Sequence, residues 1–249
     1  MRPYSVLARY YSEFTKNVEY KKRTDYILKL IRLHGRGTPK LLLDLACGTG
    51  GFSFELASRG IDVIGIDISE EMLAEAQSEM YNRGADVMFI CQDMCKLDLY
   101  GTVDTAICML DSLNHITDIN NLKKAIKRTS LFIEPDGLFI FDVNTLYKHR
   151  KVLSGSCFVY ECAESVCIWS NSECSGDDII NINLDIFEGT GKGLYTRSAE
   201  NFSERAYDIS VLKNIAVNCG FKICGIYGDM SFDKPLQTEE RVYFVAQKL

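Results

Sequence analysis

Apolar and polar positions alternate along this chain in three distinct rhythms. The first is the unbroken apolar run. Leu41-Leu42-Leu43 continues past a single acid to Leu45, and similar runs occupy Ile61–Asp67, Val87–Cys91, Val103–Leu110 and Leu138–Val143. Runs of this length predict strands buried on both faces, as in a parallel sheet. Between them the period becomes helical. Ile27, Leu30 and Ile31 give one buried face to a helix over about Glu19–Leu33, ended by Gly35–Pro39. A short helix is predicted over Phe52–Ser58 with Gly60 past its end. Met72, Leu73, Ala76 and Met80 line a further helix, with Ser69 as its cap and Glu70 and Glu71 in its first turn. Asn121–Leu131 is helical, and Pro135-Asp136-Gly137 is read as a turn. Strands alternating with helices predict βαβ units with right-handed crossovers.

The third rhythm begins after Val143. Phe158–Glu161, Val166–Ser170, Ile179–Phe187 and Leu194–Arg197 read as successive antiparallel strands, with strict alternation from Ile180 to Ile186. Gly189-Thr190-Gly191-Lys192-Gly193 is a hairpin turn. A phosphate loop would need Ser or Thr after the lysine and a following helix, and neither is there. The parallel pattern then resumes with a helix at Ile209–Asn218, closed by Gly220, and strands at Phe221–Tyr227 and Arg241–Gln247. The expected fold is α/β: a doubly wound, mostly parallel seven-stranded sheet with a small antiparallel β insertion. One domain is expected over residues 1–249, with a helical N-terminal segment (1–36, opening on the aromatic Tyr4, Tyr10 and Tyr11) and an insertion at about 155–206.

Composition narrows the function classes. The formal charge is −6, with no long basic run, which argues against sequence-independent nucleic-acid binding. Residues 1–11 lack a signal-peptide apolar core, no run reaches membrane-spanning length, and a cytoplasmic location is expected. None of the 10 cysteines forms a CxxC pair, and none of the 3 histidines has a partner at ligand spacing. The cysteines read as small apolar residues in a reducing compartment, and no metal site is expected.

The chemistry concentrates where the first strand ends. In Leu43-Asp44-Leu45-Ala46-Cys47-Gly48-Thr49-Gly50-Gly51, an acid closes the strand, a glycine-rich turn follows, and a helix opens. Glycines let a ligand lie against backbone, and the helix start offers free N–H groups. A dinucleotide loop would carry a third glycine where Ser53 stands. A pyrophosphate would also be repelled by the nearby acid, whereas a nucleoside carrying an ammonium and a sulfonium would be attracted. Asp67, at the end of the next strand, suits a ribose diol with either cofactor.

These residues resemble motif I of the class I S-adenosylmethionine-dependent methyltransferases. Gly65-Ile66-Asp67-Ile68-Ser69-Glu70-Glu71-Met72-Leu73 is similar to the second motif. Cys91-Gln92-Asp93-Met94, Asp111-Ser112-Leu113-Asn114 and Pro135-Asp136-Gly137 with Phe141-Asp142-Val143-Asn144 are similar to later ones. The resemblance covers nearly the whole chain and is closest to the small bacterial YqeM-like and glycine N-methyltransferase-like branch. It implies S-adenosylmethionine as cofactor and S-adenosylhomocysteine as product. Asp44 and the backbone of Ala46, Gly48 and Gly50 would surround the methionine part. Asp67 would accept from both ribose hydroxyls, with Ile68 and Met72 against the adenine. Asp93 would accept from the adenine amino group, with Met94 on the ring and Leu110 on the sulfonium side. Where this branch has Tyr-Asp near its start, this chain has Tyr11-Ser12; Tyr11 is placed near the cofactor by the same likeness.

Ligands of open α/β sheets sit beyond the carboxyl ends of the strands. That rule selects His115, Asp142 and Asn144 as catalytic candidates and Asn114 for substrate; Asp111, which the resemblance puts beside Leu110 on the sulfonium side, is a further substrate candidate. An insertion over the same edge would act as a lid and bring Trp169, Arg205 and Tyr207 toward the substrate. The expected activity is methyl transfer to N or O of a small molecule, by a monomer or homodimer that binds neither nucleic acid nor membrane. RNA (tRNA) or protein methylation, a non-catalytic S-adenosylmethionine-binding module and a nicotinamide dehydrogenase are the alternatives.

Overall fold

The computed structural model describes residues 7–162 and 165–249, so Tyr4 lies outside the described residues, as does the side chain of Cys162. Seven strands form one sheet: β1 (Leu41–Leu45), β2 (Asp62–Asp67), β3 (Met88–Cys91), β4 (Val103–Cys108), β5 (Ile133–Asn144), β10 (Phe221–Gly228) and β11 (Arg241–Lys248). Their order is β10-β11-β5-β4-β1-β2-β3, with β11 antiparallel to both its neighbours and β1 to β5 all parallel. The order reverses between β1 and β4, and the cleft at their carboxyl ends is where such sheets bind ligands.

Apolar side chains leave the sheet on both faces, which is why its central strands are continuous apolar runs. Leu43, Leu45, Phe139, Phe141 and Phe244 pack under α5 (Ile119–Leu131) and α6 (Ile209–Asn218). Leu42, Ile107, Ile140, Tyr243 and Val245 pack under α2 (Tyr20–His34) and α3 (Gly51–Ala57). The helix α4 (Glu70–Arg83) is capped as the sequence predicts, with the Ser69 hydroxyl accepting from Met72 N–H at 3.1 Å. No helix among the described residues is long and apolar enough to cross a membrane.

The other strands make a separate antiparallel sheet in the order β6 (Cys157–Cys162), β7 (Ser165–Asn171), β8 (Ile179–Gly191) and β9 (Leu194–Arg205). The hairpin turn is where expected: Lys192 and Gly193 both have positive φ between paired Gly191 and Leu194. The inner face carries Cys167 and Trp169 on β7, Ile180, Ile182, Leu184 and Ile186 on β8, and Phe202 on β9. Against it lies α1 (Leu7–Phe14), with Leu7, Tyr10, Tyr11 and Phe14 in the same apolar cluster.

Two expectations need correction, and one unassigned stretch gains an element. Pro135-Asp136-Gly137 is not a free turn but a bulge inside β5, with Asp136 at φ 65° and the pairing to β4 skipping from Ile133 to Leu138. β9 runs to Arg205 rather than Arg197, because its inward positions include Glu200 and Glu204 and hide the alternation. The stretch Lys148–Leu153, unassigned in the sequence, forms a π-helical turn leading into the insertion.

Candidate active site

The loop after β1 is shaped by three positive-φ residues, Ala46 (55°), Gly48 (55°) and Gly50 (82°). A Cβ placed on Gly48 would meet nothing nearer than the Tyr11 ring, at 3.9 Å. The loop therefore offers bare backbone beneath an aromatic roof. Ser12 also reaches it, its hydroxyl 3.3 Å from that of Thr49.

Two acids flank the loop. Asp44 is buried and accepts from the Ser53 hydroxyl at 2.6 Å. Burial, with the nearby Asp67 charge adding to it, pushes its carboxyl up to about 7 against the pull of Ser53. Asp67 accepts from Gly48 N–H at 2.8 Å and Ser69 N–H at 2.9 Å. Burial raises its pKa, and those amide donors restrain the rise. Each of its oxygens has a lone pair left for a diol. Ile68 beside it is 62% exposed although strongly apolar, while Met72 is buried below. Asp93 caps a short turn through Cys95 N–H at 2.8 Å, with Met94 half-buried next to it. The donor set thus fits a cationic nucleoside: carboxylates for a diol and an ammonium, an apolar shelf for a base, and, among the described residues, no cluster of basic side chains at the loop to receive phosphate.

At the other end of the cleft, Leu110 and Asp111 both have left-handed backbone, with φ 56° and 53°. Such a pair is strained and needs support. Asp142 provides it, accepting from Leu110 N–H at 3.0 Å and Asp111 N–H at 2.7 Å. Arg241, which the sequence reading passed over, is buried between the two acids. One guanidinium nitrogen donates to Asp142 and the other to Asp111 at 2.5 Å. Burial alone would raise both carboxyls. Arg241 and Lys148 hold Asp111 below the usual range, whereas Asp142, wholly enclosed and beside Asp111, stays raised. The signal for Arg241 was available: it is a charge directly before five apolar, buried strand residues, Val242–Ala246.

The remaining candidates separate into two groups. His115, in the turn Ser112–His115, lies with Nε2 3.5 Å from Glu204 Oε1. Asn144 bridges the β5 end to the insertion, accepting from Lys148 at 3.0 Å and donating to Glu204 at 3.4 Å. Asn114 is fully buried, and its amide is spent on Asn144 N–H, Asn144 C=O and Arg205 C=O, at 3.0, 3.1 and 2.9 Å. Trp169 packs in the insertion's own core and donates to Asn171 at 2.8 Å. Arg205, on the face of β9 opposite Glu204, donates to Thr117 C=O at 3.1 Å and lies over the Tyr207 ring. Tyr207 is buried, and its hydroxyl donates to Ile116 C=O. Asn114, Arg205 and Tyr207 therefore brace the junction between the sheets through backbone carbonyls. Glu204, adjacent in sequence, is the residue that turns inward.

Tyr11 joins the two ends. Burial raises its hydroxyl well above the ordinary value, with the fields of Tyr20, Asp111 and Asp67 adding to the effect. It remains a neutral phenol in the fields of Asp67 and Asp111.

Comparison with known proteins agrees with this geometry. Residues 42–137 match the family model described as a methyltransferase domain. YqeM of Bacillus subtilis (strain 168), a methyltransferase by name, is 30% identical over 246 residues, covering 98% of this chain and 97% of its own. An S-adenosylmethionine-dependent methyltransferase from Clostridium acetobutylicum ATCC 824, solved by crystallography, superposes with a TM-score of 0.86 at 30% identity, over 96% of each chain. Glycine N-methyltransferase of Mus musculus is 30% identical over 159 residues, 57% of this chain and 50% of its own. A strand-end acid, a bare glycine loop and a second acid at the next strand end, in this topology and with these relatives, place the chain among the S-adenosylmethionine-dependent methyltransferases.

Proposed function

We propose that this methyltransferase acts on a nitrogen or oxygen atom of a small molecule. The observation that carries this reading is the acid cluster at the acceptor end: Asp111, Asp142 and Glu204 have largely buried side chains there, and Glu204 lies 3.5 Å from His115. Acids at that end suit a small ligand better than a polyanion, and the chain's net charge of −6 points the same way. The glycine N-methyltransferase among its partial relatives is named for a small acceptor.

When bound, the cofactor supplies an electrophilic methyl group on a sulfonium. The chain's own residues then have three tasks. Asp67 and Asp44 would hold the cofactor through its diol and its ammonium, with Ile68, Met72, Asp93 and Met94 available to its base. Leu110 and Asp111, held by Asp142, would wall the sulfonium side. Alignment of this kind can supply a large part of the barrier reduction. His115, 30% exposed beside Glu204, is the residue that takes the acceptor's proton. Asp142 has its oxygens committed to two amides and Arg241, and Asn144 orients Glu204. The insertion serves as a lid.

Incubation with methyl-labelled S-adenosylmethionine and a cell extract tests this. Label is expected in the fraction of low molecular mass. Label confined to tRNA or protein, or cofactor binding without any label transfer, would contradict it.

A further inference from the structure

Glu204 is a buried carboxylate that no guanidinium or ammonium of the described residues holds. Its side chain is 3% exposed. Its neighbours are Asn144 Nδ2 at 3.4 Å, His115 Nε2 at 3.5 Å and His149 Nε2 at 3.6 Å, all at or past the outer limit of a good hydrogen bond. His149 itself is fully buried in the π-helical turn, and neither ring nitrogen has a hydrogen-bond partner among the described residues. The buried guanidinium of the site, Arg241, is committed to Asp111 and Asp142. An uncompensated buried carboxylate is costly, and a bound cation is the partner that would complete it.

We propose that Glu204, with Asp111 and His115, forms the acceptor subsite, and that the acceptor is an amine that enters as its ammonium ion. This rests on the small-molecule reading above and narrows it. One ligand atom from each of Asp111, His115 and Glu204 lies within 4.8 Å of the other two, and the His115–Glu204 side of that triangle is 3.5 Å. A group with several hydrogen-bond donors can reach all three corners at once. An ammonium has three N–H donors for three corners. Two are carboxylates, one of them already neutralised by Arg241, and the third is an imidazole able to accept.

The chemistry balances on these groups. Glu204 and Asp111 hold the ammonium, and His115 Nε2 takes one of its protons. The freed nitrogen lone pair forms the N–CH3 bond while the S–CH3 bond breaks, its electron pair remaining on sulfur. The methylated ammonium leaves, and His115, partly exposed, passes its proton to water. His149 is a positioning residue: it faces Glu204 Oε2 from the buried side, so that Oε1 turns toward His115 and the cleft.

The test is a panel of amines and their hydroxyl isosteres (amino sugars, amino acids and polyamines paired with the matching alcohols), assayed by label transfer with wild type, Glu204→Gln and His149→Gln. S-Adenosylhomocysteine affinity and Tm are measured alongside to separate misfolding from loss of the subsite. Methylation of amines and not of their isosteres is expected. Glu204→Gln should raise the amine KM about 10–100-fold, the loss of one charged hydrogen bond, with cofactor affinity unchanged. His149→Gln should raise KM less and leave kcat nearly intact. Turnover of alcohols but of no amine would overturn the proposal while leaving small-molecule methylation standing. So would an unchanged amine KM in a folded Glu204→Gln protein, loss of activity on chelation that a divalent metal restores, or a panel in which no amine is methylated. Transfer of label only to macromolecules would instead remove the small-molecule reading itself.

Discussion

Asp44→Asn is expected to make the protein more stable and the cofactor bind more weakly. The Asp44 carboxyl sits near 7 in the folded chain because burial penalises its charge, against about 3.8 for the free side chain. A folded-state value above the unfolded one means stability that is complete at low pH. It is lost as pH rises from about 4 to about 7 and stays lost above that. The loss amounts to roughly 3–5 kcal/mol at pH 8. An amide keeps an acceptor for the Ser53 hydroxyl but has no charge to desolvate. The variant should therefore melt several degrees higher than wild type at pH 8, with the gap closing toward pH 4 to 5. In the wild type, ligand binding recovers the cost, since a cation at Asp44 stabilises the carboxylate. Affinity for S-adenosylhomocysteine should then weaken up to about tenfold per unit as pH falls below 7, and that slope should vanish in the variant. A melting-temperature series with and without ligand from pH 5 to 8.5 reads both effects. Equal melting temperatures for the two proteins at pH 8 would refute the assignment.

Arg241→Met should be the most damaging single substitution in the site. Removing one partner from a buried ion set leaves the others uncompensated, at a cost of about 3–5 kcal/mol. Here two acids lose it at once: Asp111, which Arg241 keeps ionised, and Asp142, which stays raised even with Arg241 in place. The strained Leu110-Asp111 backbone depends on the same carboxylate. In a protein of this size the loss corresponds to a Tm lower by roughly 6–20 °C. Removing the Asp111 charge as well should restore part of it, because the double variant Arg241→Met, Asp111→Asn buries one unpaired charge fewer and keeps the Asp142 carboxylate under the Leu110 and Asp111 amides. Denaturant melts of the single and double variants give the comparison. A double variant no better than the single one would mean that Arg241 acts by packing rather than charge.

The end of the site that we assign to the cofactor was legible because it is local. An apolar run, an acid, a glycine turn and a helix lie within eleven consecutive residues, Leu41–Gly51, and the second acid stands one βα unit later with its cap, Ser69, two positions on. Strand and helix periods alone located β1, α4, α6 and the hairpin at Lys192-Gly193. The acceptor end was legible only in part because it is assembled by pairing. Arg241 reaches Asp142 because β11 runs antiparallel to β5 with Arg241 opposite Asn144, a neighbour that no spacing reveals. Glu204 was visible as a charge beside Arg205, but which of the two faces inward depends on β9 continuing past Arg197. Acids on the inward positions broke the apolar alternation that would have shown it. His149 was obscured for another reason: a π-helical turn has no clear period to read.

The account stands most directly on Asp67. Calorimetric titration of wild type and Asp67→Ala with S-adenosylmethionine and S-adenosylhomocysteine, with NAD as the control dinucleotide, tests it in one experiment. Both nucleosides should bind the wild type and NAD should not, and the variant should lose about 1.5–3 kcal/mol, tenfold or more in affinity. Undiminished binding in a folded Asp67→Ala protein would place the ribose elsewhere and contradict the site described.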